Sequence, residues 1–88
     1  MSKIYFPTNS ELENAVLQAL SELNGIATTK EINQKVIDIL KLPQEVVELE
    51  DESGLGTKLN YRLRWARTVL KQKNKITNVK KGTWQLNA

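Results

Sequence analysis

The sequence contains no cysteine and no histidine. Without cysteine there is neither a disulfide framework nor a thiolate metal site. Without histidine there is no imidazole zinc ligand, no histidine-based triad and no near-neutral proton shuttle. The apolar runs are far too short to span a bilayer, and the opening MSKIYFPTNSELE lacks the apolar core of a signal peptide. A soluble cytoplasmic domain with no membrane partner is expected. No internal repeat or low-complexity segment is present. The acids form one dense group, ELEDE at residues 48–52, which reads as an exposed, solvated loop. With no nucleophile, base or convergent carboxylates, no catalytic site, metal or cofactor is expected.

A further absence is regional. No Asp or Glu occurs after Glu52. Residues 1–54 carry all ten acids against four lysines, whereas residues 55–88 carry nine Lys and Arg and no acid. The mild overall charge of +3 therefore conceals an acidic part followed by a strongly basic one. Either the two parts pair internally or the basic part faces a polyanion, and such asymmetry favours the polyanion.

What is present suits one domain over residues 1–88, near the small end of what buries a core unaided. Tyr5 and Phe6 are placed to cover one end of that core. SELENAVLQALSELNG (10–25) has helical spacing, with Leu12, Val16, Leu20 and Leu23 on one face, Ser10 as N-cap and Asn24-Gly25 as stop. In GIATTKEINQKVIDILKL (25–42), the GIAT connection has room for a short extended piece. Thr28 and Glu31 then match a capping box, ahead of a stripe of Ile32, Val36, Ile39 and Leu40. Pro43 opens a short extra helix carrying Val46 and Val47. The third long helix is expected over about 57–73, burying Leu59, Leu63, Ala66 and Leu70, with Asn74 as a left-handed stop. ITNVKKGTWQLN reads as a hairpin over 76–87 with Trp84 and Leu86 on one face.

Three main helices, a short extra helix and a C-terminal hairpin make a mainly α chain with the element order of a winged helix-turn-helix domain. In that architecture the last helix enters the major groove of duplex DNA and the hairpin, or wing, follows the backbone. The helix is unusual in being basic without interleaved acids, so its like-charge repulsion is left for a polyanion to relieve. Arg64 is the first candidate for a base edge, since arginine pairs bidentately with guanine. Asn60 and Tyr61 sit nearer the helix start, for bases or phosphate. Thr57 and the N–H groups of the helix start suit a phosphate. Lys58, Arg67, Lys71, Lys80 and Lys81 are expected phosphate contacts. Arg62, bordering the apolar stripe, is placed equally for an ion pair with an acid of the first half. Trp65 and Trp84 are expected to pack in the core or against the wing.

The stretch YRLRWARTVLKQKNKITNVKKGTWQLN resembles the N-terminal winged-helix domain of Mrr-like restriction endonucleases. Arg62, Leu63, Trp65, Ala66, Leu70, Lys71, Lys80, Gly82, Trp84 and Leu86 match that pattern. Tyr61 departs from it where the family usually carries Asn, Asn74 replaces a Gly, and Lys75 replaces an apolar residue. The resemblance runs from about residue 12 to 87, its specific part being 61–87. It implies a module that targets double-stranded DNA for a modification-dependent nuclease domain in the same longer chain. The alternatives are a free-standing transcriptional regulator and a winged-helix protein-interaction module, with a homodimer among the possible states.

Overall fold

The computed structural model describes residues 6–54 and 56–87; Tyr5 lies outside them, while Phe6 packs against the core as expected. Helix α1 (Asn9–Glu22) is capped two residues before the expected Ser10. Two overlapping Ser/Thr-x-x-Glu spacings compete there, Thr8 with Glu11 and Ser10 with Glu13. The first forms the capping box: Glu11 N–H donates to Thr8 Oγ1 at 3.1 Å and Thr8 N–H donates to Glu11 Oε1 at 2.9 Å. Glu13 is instead paired with Lys73, 3.3 Å away at the far end of the last helix. Ser10 is thus the second residue of α1, and Thr8 is its cap.

Strand β1 (Ile26–Thr28) runs directly into α2 (Thr29–Leu40), whose capping box of Thr28 and Glu31 forms as expected. Lys41 closes α2 in the left-handed region at φ 51°, where a side chain is strained. Pro43 caps the short helix α3 (Gln44–Val47), which buries Val46. Helix α4 (Lys58–Gln72) follows, capped by Thr57, and Asn74 at φ 59° turns the chain out of it. Strands β2 (Ile76–Lys80) and β3 (Thr83–Leu86) form the hairpin, with Gly82 at φ 75° in its turn.

The expected two-stranded hairpin is a three-stranded antiparallel sheet in the order β1-β3-β2. Ala27 pairs with Trp84 across β1 and β3, and Ile76 with Leu86 across β2 and β3. β1 is three residues long and finds its partner more than fifty residues away, beyond the reach of local patterning. Its pairing ties the hairpin to the start of α2, where Thr29 N–H also donates to the Gly82 carbonyl at 2.9 Å. The described residues form four helices and a small sheet in a winged-helix-like layout.

Leu12, Val16 and Leu20 of α1, Ile32 and Val36 of α2, and Leu59, Leu63, Ala66 and Leu70 of α4 meet in the core, closed from the sheet by Ala27 and Ile76. α1 packs on both α2 and α4, so it holds α4 from behind and leaves the opposite side of that helix uncovered.

Two consequences are testable. Lys41→Gly relieves a left-handed backbone and should raise urea stability by about 1 kcal/mol. The Glu31 carboxyl is held below its usual range, first by the Thr28 backbone N–H and then by the Thr28 hydroxyl. A lowered carboxyl contributes stability that is complete above its unfolded value of about 4.3 and fades as pH falls through the lowered folded value. Thermal melts between roughly pH 6 and pH 3 should therefore show a steeper acid loss for the native chain than for Glu31→Gln. Superimposable profiles would count against the capping role.

Candidate nucleic-acid interface

Leu59, Leu63, Ala66 and Leu70 anchor α4, and their direction decides where every other side chain of the helix points. At 100° per residue, Thr57, Asn60, Thr68 and Lys71 fall within about 40° of Arg64, and Tyr61 within about 60°. Arg64, Asn60, Lys71 and Tyr61 are exposed, and Thr57 and Thr68 are half-buried. One face of α4 thus brings together four of the expected contact residues, with Thr57 at its start.

Other expected contact residues lie elsewhere or are already engaged within the fold. Lys58 stands about 120° from Arg64 on the α1 side of the helix. Its ammonium lies 4.6 Å from the centre of the Phe6 ring, a cation–π contact that directs the charge away from the Arg64 face. The helix start is also less open than an anion site requires. Lys58 N–H donates to the Leu49 carbonyl at 2.8 Å, and Asn60 N–H donates to Thr57 Oγ1 at 3.2 Å. The Thr57 hydroxyl oxygen therefore serves as the cap of α4, and two of the N–H groups assigned to a phosphate are already bonded.

Arg67, expected on an exposed flank, is buried, with 6% of its surface accessible. It follows Leu63 by four residues and precedes Leu70 by three, so it borders the core on the α2 side. Its Nη1 donates to Asn33 Oδ1 of α2 at 2.8 Å, and the guanidinium lies 5.9 Å from the Trp84 ring of β3. Burial, and then the neighbouring charge of Arg64, push its pKa below the ordinary arginine value. Trp84 in turn donates from Nε1 to Thr29 Oγ1 at 3.2 Å. These four side chains join α4, α2 and β3. The helical spacing from Leu63 and Leu70 was the signal for Arg67, outweighed by the expectation that arginine stays in water.

Trp65 departs in the opposite direction. It is 54% exposed, beside Val69 and Arg62 on the α1 side of α4, and lines a shallow hollow with Asn9 and Glu13. Its helical angle opposes the apolar stripe, and that angle prevails over its hydrophobicity. Trp84 packs against the core as expected. Arg62 bonds a neutral partner, donating from Nη1 to Asn9 Oδ1 at 3.1 Å, and its charge reaches Asp51.

At the hairpin tip, Asn78 Nδ2 donates to the carbonyls of Lys80 and Thr83 at 2.8 and 3.0 Å. Those bonds shape the turn from which the exposed Lys80 and Lys81 project. Among the described residues, Lys73 is the one cation of the basic part that is ion-paired to a carboxylate. Arg64, Lys71, Lys80 and Lys81 form no ion pair with any carboxylate among the described residues.

The acidic loop reaches the start of the α4 face. Asp51 accepts from Ser53 Oγ at 2.6 Å and from Ser53 N–H at 3.0 Å, and these bonds hold its carboxyl below the usual range. Asp51 and Ser53 line an open hollow of about 350 Å³ together with Thr57, Asn60, Tyr61 and Arg64.

The fold and this surface define a class, a winged-helix-like domain whose last helix is cationic beside a lysine-tipped hairpin. The family model described as the Mrr N-terminal domain matches residues 10–88. The chain belongs to that family, the N-terminal domain of Mrr-like restriction enzymes and not their nuclease domain. No curated protein and no solved structure gives a significant match. Among the described residues, no helix is long and apolar enough to cross a membrane.

The cap of α4 is open to test. Thr57→Ala should cost about 1 kcal/mol of stability, and amide exchange at Asn60 should accelerate ahead of exchange at Leu63. Equal acceleration along the whole helix would mean that Thr57 acts on the fold at large.

Proposed function

We propose that this domain binds double-stranded DNA as a winged helix, with α4 as recognition helix in the major groove and the β2–β3 hairpin as a wing along the backbone. The observation that carries the reading is the α4 face of Asn60, Tyr61, Arg64 and Lys71, supplemented by Lys80 and Lys81, whose cations form no ion pair with a carboxylate among the described residues. Unrelieved like charge on a folded surface is a standing cost. Phosphates remove it and release condensed counterions as they do so. Arg64 reads a base edge, Asn60 and Tyr61 contact bases or backbone beside it, Thr57 borders the same face, and Lys71, Lys80 and Lys81 hold phosphates. Lys58, turned toward Phe6, stands outside this contact set. The domain itself is non-catalytic and targets a nuclease domain carried in the same longer chain, in keeping with its restriction-system family. An unlinked transcriptional regulator would use the same surface.

Fluorescence anisotropy on a labelled duplex tests the reading. For about six neutralised phosphates, log K should fall with log salt at a slope of roughly −5. A slope near zero, or no association at low salt, would overturn it. Arg64→Ala should cost about 1–3 kcal/mol on a preferred sequence and less on random duplex, whereas Lys80→Ala should weaken both alike.

The exposure of Trp65 favours a second reading, self-association of two copies through the α1 side of α4. Sedimentation separates the two: a dimer abolished by Trp65→Ala and indifferent to DNA supports self-association, and a monomer at all concentrations removes it.

A further inference from the structure

Arg67 holds a charge that nothing in the described fold neutralises. It is 6% exposed, and no carboxylate among the described residues bonds it. A guanidinium offers five N–H donors; here Nη1 alone is used, on the neutral Asn33 amide. Yet no fully buried side-chain nitrogen or oxygen among the described residues lacks a hydrogen-bond partner. The two remaining nitrogens, Nε and Nη2, therefore reach the surface. Asn33 fixes one edge of the guanidinium and Trp84 lies against it, so the free donors open where α4 meets α2 and β3. Arg64, three residues earlier and exposed, is close enough for its charge to act on Arg67.

We propose that Arg67 is a partly desolvated seat for a single backbone phosphate of the duplex, with Arg64 adding its charge from beside it while its own fork stays free for the base edge. The inference rests on the DNA-binding reading and assigns one phosphate within it. Two adjacent cations ion-paired to no carboxylate among the described residues suit a group that brings a full negative charge and two acceptor oxygens, and a planar fork matches such oxygens in pairs. Because the fork is already held by Asn33 and Trp84, it has little freedom left to lose on binding. Its partly desolvated position also strengthens attraction relative to a lysine in open water. This differs from the role expected of an exposed Arg67, in which a flexible side chain would reach out to the backbone.

Side-chain nitrogen-15 NMR of the arginine Nε–H groups in the whole chain reads the seat directly. Titration with a short duplex should shift the Arg67 and Arg64 signals together, and inorganic phosphate should shift the same pair more weakly. Duplex binding that moves Arg64 while Arg67 stays in place would overturn the seat and leave the DNA reading intact. A response to inorganic phosphate but not to bound duplex would overturn the backbone assignment. No duplex binding at all would remove both. In a second arm, Arg67→Gln should lower the salt slope by about 1 and weaken binding roughly tenfold near 0.1 M salt. Arg67→Lys keeps the charge and loses the fork, so it should weaken binding with the slope nearly unchanged. Unaltered affinity in both variants, each with native-like circular dichroism, would overturn the proposal; should either fail to fold, the NMR titration decides alone.

Discussion

The contact of Arg67 with Asn33 and Trp84 is the constraint on which the geometry of the cationic surface depends. Taking a cation out of water costs several kcal/mol even after relaxation. A hydrogen bond to a charged group returns about 1.5–3 kcal/mol, and an aromatic face about 1–2 kcal/mol, less at the long 5.9 Å seen here. The terms roughly cancel, so the arrangement adds little to net stability. Its effect is geometric: α4, α2 and β3 meet at one guanidinium, and Trp84 is secured to Thr29 at the start of α2. The hairpin consequently has a fixed position relative to the exposed face of α4.

That fixed relation also explains the composition of α4. One side of the helix must supply Leu59, Leu63, Ala66 and Leu70 to a core that α1 closes from behind. The α1 side is occupied by Arg62 on Asn9, Lys73 on Glu13 and Lys58 on Phe6. The remaining side carries Asn60, Arg64 and Lys71 with no acid among them. An ordinary solvated helix would place a glutamate four residues from such cations and gain a few tenths of a kcal/mol. Its absence is a stability forgone across the last 34 residues, a loss that a polyanionic partner would offset.

Much of the fold was legible because its signals are local. The α4 stripe, the Thr28–Glu31 box, the turn at Asn74 and the hairpin all follow from residues within a few positions of one another. The β1–β3 pairing was not legible, since a three-residue strand gains its identity from a partner at Thr83–Leu86. Thr8 could not be separated from Ser10 by spacing alone, and the choice turns on Glu13 being engaged by Lys73 across the fold. In the candidate site, residue type misled where helical angle would have guided. Size alone places Trp65 inward and charge alone places Arg67 outward, and the angles from Leu63 reverse both. Lys58 carries no local mark of its contact with Phe6.

The acidic part of the chain does not simply cancel the basic part; it borders it. Lys58 N–H bonded to the Leu49 carbonyl and Asp51 N–H bonded to the Gly56 carbonyl tie the acidic loop to the start of α4. Asp51 consequently stays beside Asn60, Tyr61 and Arg64, its carboxylate kept charged by Ser53. A phosphate approaching the first turn of α4 would meet this negative edge, whereas one approaching Lys71, two turns beyond Arg64, would lie farther from it. An acid at the border of a cationic face would give a polyanion a preferred side as well as a preferred face. Sequence asymmetry that looks like a bulk property of two halves thus becomes a field with direction. It does so because a short loop, held by backbone bonds, carries the acids to the edge of the cationic helix.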